Sequence, residues 1–267
     1  MMMAAKKDVS LQKTTKSLQR AISLLHVLAE RSEIGLSDLA RATHLPKPTV
    51  HRLLLTLSRA QLASFEPSSE RYRLGPCILA WADKMVSADD LRVRSRPILD
   101  RLRRETDESV GLVERHQNDS VCLMAVHSVH ELRVVVRVGA PRPLFIGAPG
   151  KALMAYLPED EIRRVLQAAP QAGPHLPTLL KQLRTIRAQG FARSTGESVP
   201  GIYSLAVPIL DAAGRPHASI ALYVPESRVT ATRERHWATL FKKAATELQS
   251  AIIRSGRSVP SDTSVAA

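Results

Sequence analysis

Near the N-terminal end of the chain, apolar residues recur at helical spacing three times. Leu18, Ala21, Ile22, Leu25, Leu28 and Ala29 fall on one stripe from Ser17 onward. Leu39 and Ala40 mark a short second helix, for which Ser37 is the expected N-cap. Val50, Leu53, Leu54 and Leu57 recur at i, i+3, i+4 and i+7, the narrow seam of a third helix. Pro48 suits the first turn of that helix, where its missing N–H costs nothing. Thr43-His44-Leu45-Pro46 is the turn before it. Away from the leucines, the third helix offers Thr49, Arg52 and Thr56, with Lys47 and His51 beside its N-terminal end.

The period then changes from helical to alternating. Residues 62–66 and 71–74 read as strands joined by Pro67-Ser68-Ser69-Glu70, which predicts a hairpin. Tyr72 and Leu74 are expected to face inward, leaving Arg71 and Arg73 outward. Gly75-Pro76 punctuates the end of this unit, expected over 17–76. Residues 1–16 are polar and lysine-rich, the composition of a flexible arm. A linker helix is expected over 77–92 and a second domain over 93–254. In that domain strands are predicted at 110–114, 121–128 and 132–138, and helices at 151–157, 159–167 and 179–189. Segments 202–210 and 217–224 flank Asp211-Ala212-Ala213-Gly214, a hairpin signal. A long helix over 230–253 closes the domain, and 255–267 reads as a flexible tail.

Charge adds direction to this layout. The 267 residues carry a formal net charge of +13, which favours a polyanionic partner, nucleic acid before a membrane surface. Residues 1–76 hold twelve Lys and Arg against six Asp and Glu, a net +6. No apolar run approaches the ~18 residues of a membrane span. The N-terminal stretch lacks the apolar core of a secretory signal. Two cysteines, Cys77 and Cys122, exclude a disulfide framework and a cysteine-cage zinc site, and a reducing cytoplasm is the expected home.

Three helices followed at once by a two-stranded hairpin describe a winged helix-turn-helix. The third helix has the dimensions to enter the major groove, about 12 Å wide, N-terminal end first. Lys47, Thr49, His51, Arg52 and Thr56 are then the groove-facing residues. Arg and Lys donate to guanine edges, and a threonine methyl meets the thymine methyl. Ser37 suits a phosphate oxygen, and Arg71 and Arg73 on the wing reach backbone or minor groove.

The motifs "SLQRAISLLHVLAE", "LPKPTVHRLLLTL" and "RYRLGP" resemble the DNA-binding segment of the IclR family, the isocitrate-lyase-regulator type of bacterial transcription factor. "PLFIGAPGKALMAYLP", "QGFARSTGES" and "GIYSLAVPILDAAGRPHASIALYV" resemble its C-terminal domain, in the same order. The resemblance implies an α+β protein: an N-terminal winged helix-turn-helix, a linker helix, and a C-terminal α/β GAF-like effector domain with a mainly antiparallel sheet. It also implies self-association into dimers, often paired into tetramers, on double-stranded operator DNA. By motif position, an effector pocket is expected to include Ala148, Gly150, Ser194, Ile202, Ser204, Ala221 and Tyr223. Gly147 and Gly150 permit close backbone approach, and free N–H groups where the loop 146–150 meets the next helix favour a carboxylate. Many members carry Cys in place of Ser204, an acidic residue in place of Ser194 and Ser in place of Tyr223. This pocket is therefore less acidic and carries a phenol, on which a flat or aromatic acid can stack; the expected effector is a small organic or aromatic acid.

Other chemistries are weaker. "GAPGKA" resembles a phosphate loop, but Phe145 stands at the first-glycine position and Ala152 replaces the magnesium-holding hydroxyl. His116, Cys122, His127 and His130 have no spacing that brings all four to a metal. No GxSxG nucleophile motif occurs, so no catalytic residue, metal or cofactor is assigned and an enzyme is not expected. The expected function is a ligand-responsive, sequence-specific regulator of a catabolic or metabolic operon. The alternatives are a sequence-tolerant DNA-binding protein without a ligand and an enzyme carrying a basic appendage.

Overall fold

The computed structural model describes residues 15–88, 90–169 and 175–254, which divide into two compact units at residues 88 and 89. Residues 1–14 of the expected arm, and the expected tail at 255–267, lie outside the described residues. Lys16, placed in the arm by sequence, is instead the first residue of a helix.

The first unit contains α1 (Lys16–Glu30), β1 (Ile34–Gly35), α2 (Leu36–Thr43), α3 (Lys47–Arg59), β2 (Ala63–Glu66), β3 (Arg71–Leu74) and α4 (Pro76–Ala88). Its core joins Leu24 and Leu28 of α1, Leu39 of α2, and Val50, Leu54 and Leu57 of α3. Each such side chain, fully buried, contributes roughly 1.5–3 kcal/mol of transfer free energy. His44 caps α2 in the left-handed conformation (φ 53°), and its N–H reaches the carbonyls of Ala40 and Arg41. Two expectations are corrected. Ser37 is not the N-cap of α2: Ile34 pairs with Tyr72 in a three-stranded sheet ordered β1-β3-β2, so the helix starts at Leu36 with Gly35 at the cap. The apolar stripe of α1 is also split: Leu28 is buried but Leu18 and Ile22 are 60% and 44% exposed, while Leu24, outside the expected stripe, is completely buried.

The second unit runs α5 (Asp90–Thr106), β4 (Ser109–His116), β5 (Asp119–Val126), β6 (Pro141–Pro143), α6 (Gly147–Met154), α7 (Glu159–Gln167), α8 (Leu176–Gln189), β7 (Ala192–Thr195), β8 (Ile202–Leu210), β9 (Pro216–Pro225) and α9 (Ala231–Arg254). The strands form one antiparallel sheet in the order β6-β5-β4-β9-β8-β7. Strand periodicity splits the residues of β8 and β9 between two layers. Leu205, Val207, Leu222 and Val224 pack with Leu99, Leu102, Trp237 and Phe241 from α5 and α9. Ala206 and Ala221 pack in the other cluster, with Ala148, Ala152 and Leu153 of α6 and Leu179 and Leu183 of α8. Within that layer α6 also packs tightly on the segment that leads into it: a Cβ on Gly150 would stand 2.2 Å from the Leu144 carbonyl oxygen.

Two local readings fail in this unit. Residues 132–138, expected as a strand, form no ladder. Side chains hold that backbone instead: the Ser109 hydroxyl donates to the Val134 carbonyl at 2.7 Å, and the Arg228 guanidinium to the Leu132 carbonyl at 2.6 Å. Arg228 is itself fixed on the fully buried Glu108 carboxylate at 3.0 Å. The 146–150 stretch, expected as a loop, is helical from Gly147, whose φ of +79° turns the chain into α6.

Candidate functional site

In the first unit α3 presents the predicted face. Lys47, His51, Arg52 and Thr56 are exposed and Thr49 is half-buried, while Val50, Leu54 and Leu57 are buried on the other side. The Thr56 hydroxyl donates to the Arg52 carbonyl at 3.2 Å, leaving its oxygen as an acceptor. Arg71 and Arg73 alternate outward along β3, while Tyr72 between them is half-buried and its ring lies tilted against that of Phe65 at 4.8 Å between centroids. Ser37 is exposed in the first turn of α2, where helix N–H groups point outward. The predicted cations and hydroxyls of α3 therefore share one solvent-facing side of a rod anchored by leucines.

In the second unit a cavity of about 90 Å³ lies over the small-residue face of the sheet. Ser194, Ile202, Ser204 and Tyr223 line it, together with Val113, Cys122, Val134, Val136, Ile146 and Pro149. Ala148, Gly150 and Ala221, expected in the same pocket, do not line it. Ala148 and Ala221 are completely buried in the layer between α6 and the sheet, and Gly150 lies against the Leu144 backbone. Ala148 still touches the site through its backbone, donating its N–H to the Ser204 hydroxyl oxygen at 3.3 Å.

Sequence reading also missed what stands at the α6 N-terminus. The Glu197 carboxylate accepts the Gly147 N–H at 3.0 Å and meets the Lys151 ammonium at 2.5 Å. Lys151, 6% exposed, thus has its counter-charge supplied from 46 residues away. The free N–H groups expected to receive a ligand carboxylate are in this way committed to the protein itself. No local pattern signals it, since Glu197 lies between β7 and β8, far from α6 in sequence. Arg137, Arg142 and Ser198 also line the cavity and were not predicted. The one sequence signal for Arg142 is its setting between Pro141 and Pro143 on the edge strand β6.

Burial dominates the electrostatics of the cavity wall. It pushes the Tyr223 phenol far above its ordinary range, and the neighbouring Cys122 thiol adds to this while the Arg142 charge opposes it. The Cys122 thiol is itself pushed up to about 11 by burial, against a backbone hydrogen bond with Met124 and the charge of Arg92. Both groups are neutral at neutral pH, so the wall presents a phenol and a thiol but no anion. None of the lining residues is acidic. Among the described residues, no three His, Cys, Asp or Glu side chains gather as a metal site, and no helix is long and apolar enough to cross a membrane.

Comparison with known proteins agrees in both units. Residues 17–67 match the IclR helix-turn-helix domain, and residues 83–250 match the family described as bacterial transcriptional regulator IclR C-terminal. The chain is 32% identical over 213 residues to the glycerol operon regulatory protein of Streptomyces coelicolor, covering 78% of this chain and 84% of that one. It is 27% identical over 242 residues to the HTH-type transcriptional regulator KdgR of Escherichia coli, covering 88% and 92%. Its fold matches the crystal structure of an IclR homolog from Microbacterium hydrocarbonoxydans complexed with 4-hydroxybenzoate, with a TM-score of 0.75 at 20% identity over 90% of this chain and 100% of that one. These relatives are regulators by name rather than enzymes, and their likeness spans the DNA-reading unit and the effector unit together. The chain belongs to the IclR family of DNA-binding transcriptional regulators.

Proposed function

We propose that this regulator controls a catabolic or metabolic operon in response to a small organic or aromatic acid that enters the cavity over the small-residue face of the sheet. The observation that carries the reading is the enclosure of Ser194, Ile202, Ser204 and Tyr223 around one apolar-walled space without an acidic lining residue. An anionic ligand meets no like charge there.

On the DNA side, Lys47, Thr49, His51, Arg52 and Thr56 read base edges in the major groove, while Ser37, Arg71 and Arg73 hold backbone. The exposed Leu18 and Ile22 of α1, and Leu79 and Trp81 of α4, at 74% and 56% exposure, favour self-association of the first unit. A dimer places two copies of α3 about one helical turn apart on a pseudo-palindromic operator, and pairing of dimers gives a tetramer. An effector that prefers one arrangement of the subunits shifts the population of the DNA-competent state by its difference in affinity for the two.

The test is selection of bound duplexes from a random-sequence pool, followed by titration of the selected operator with and without small carboxylates. A pseudo-palindromic consensus, with an operator affinity that changes on adding one acid, is the expected result. Sequence-blind binding governed by salt alone would replace this reading with a ligand-free DNA-packaging role.

A further inference from the structure

The α6 N-terminus, where the sequence places an effector carboxylate, has little left to offer one. The Gly147 N–H is bound to Glu197, the Ala148 N–H to Ser204, and Pro149 has no N–H. The buried Lys151 ammonium is neutralised by the same Glu197 carboxylate. An incoming anion would have to displace a protein carboxylate from both partners.

The cationic groups still available to the cavity are Arg137 and Arg142. Neither has an ion-pair partner among the described residues. They differ in how firmly the backbone presents them. Arg137 lies on the 132–138 stretch that joins no strand ladder. Arg142 lies on β6, where it pairs with Ser120 of β5, and its carbonyl accepts the Ser120 hydroxyl at 3.3 Å. A guanidinium on a pinned strand loses less freedom on gripping a carboxylate, and its planar fork matches the two oxygens.

The same cavity has apolar walls, with Val113, Val134, Val136 and Ile146 lining it alongside Tyr223. A short polar acid leaves those walls in contact with water, whereas a ring acid covers them and packs on the phenol.

Building on the proposed effector site, we propose that Arg142 is its specificity-determining residue, holding the carboxylate of an aromatic monocarboxylic acid whose ring packs against Tyr223.

The experiment uses the full chain and isothermal titration with benzoate, 4-hydroxybenzoate, benzamide and pyruvate. Three variants are compared with the parent: R142Q, R137Q and S204F, the last filling the cavity. Thermal unfolding of each variant without ligand establishes that it is folded. The expected result is binding of a benzoate, with benzamide and pyruvate weaker by at least about tenfold, the worth of one hydrogen bond to a charged group. R142Q should lose about 10- to 100-fold toward the acids and no longer distinguish acid from amide, while R137Q changes little. Undiminished acid binding by R142Q together with its loss in S204F overturns the role of Arg142 and leaves the cavity as the effector site. Undiminished binding by S204F overturns the cavity itself. Binding of pyruvate in preference to the benzoates, or of none of the four compounds, overturns the assigned ligand class.

Discussion

The Glu197 carboxylate occupies the N-terminal end of α6 as a built-in anion, 2.5 Å from the Lys151 ammonium and 3.0 Å from the Gly147 N–H. The pair ties the loop after β7 to the helix beneath the cavity, and Lys151 depends on it because its ammonium is almost wholly removed from water. Burying an ammonium without a counter-charge is costly.

Replacing Glu197 by Ala therefore destabilises the second unit. Breaking a fully buried pair costs about 3–5 kcal/mol; with the Glu197 side chain 36% exposed, solvent screens part of this and about 1–3 kcal/mol is expected. The double variant K151M/E197Q should recover most of the loss, since no buried charge then lacks a partner. Urea unfolding at constant m-value checks both.

Arg52 and Arg71 should separate in kind. Arg52→Ala, if the guanidinium reads a guanine edge, weakens operator binding by about 1–3 kcal/mol and relaxes the preference at one base pair. Arg71→Ala weakens binding to every duplex alike and lowers the salt slope by about one. Fluorescence anisotropy against operator and scrambled DNA at several salt concentrations distinguishes them. An Arg52→Ala protein with unchanged operator affinity would remove that residue from the base-reading set.

Cys122 should resist alkylation. With its thiol pushed up to about 11, only about one molecule in a thousand carries the thiolate at pH 8, and the sulfur is buried besides. Iodoacetamide is expected to modify the half-buried Cys77 first and Cys122 only after denaturant is added. Peptide mass spectrometry of a time course reads the order.

Asp211 supplies a pH-dependent contribution at the β8–β9 turn. Burial raises its carboxyl, but the Arg215 and Ala213 backbone N–H groups and the Arg215 guanidinium outweigh that, and the net shift is downward. A depressed carboxyl stabilises the fold fully above the unfolded value, near 3.8, and the contribution is lost as pH falls through the lower folded value. Asp211→Ala should thus cost about 1–3 kcal/mol at pH 7 and progressively less in acid below pH 4. Equal losses at pH 7 and at pH 2 would contradict the assignment.

Much of the DNA-reading unit is legible in sequence because its signals are local. The i, i+3, i+4, i+7 leucine seam of α3 and the alternation of Arg71-Tyr72-Arg73-Leu74 each report a face by periodicity, and the structure orients both faces accordingly. Legibility is lower where a partner comes from elsewhere. Ser37 has the chemistry of an N-cap, but pairing of Ile34 with Tyr72 moves the helix start past it. The 132–138 segment has the composition of a strand, yet Ser109 and Arg228 hold its carbonyls outside any ladder.

Chain order, helix and hairpin identity, the surplus of positive charge and the outward arginines follow from the residues themselves, because backbone preference and apolar period act over a few positions. Tertiary packing decided which of the expected pocket residues face a cavity and which disappear beneath it. It also decided that the α6 N-terminus is met by Glu197 and that Arg142 lines the cavity with no ion-pair partner among the described residues. Those outcomes depend on groups tens of residues apart, and the distance between such groups exists only once the sheet and α6 have closed on one another.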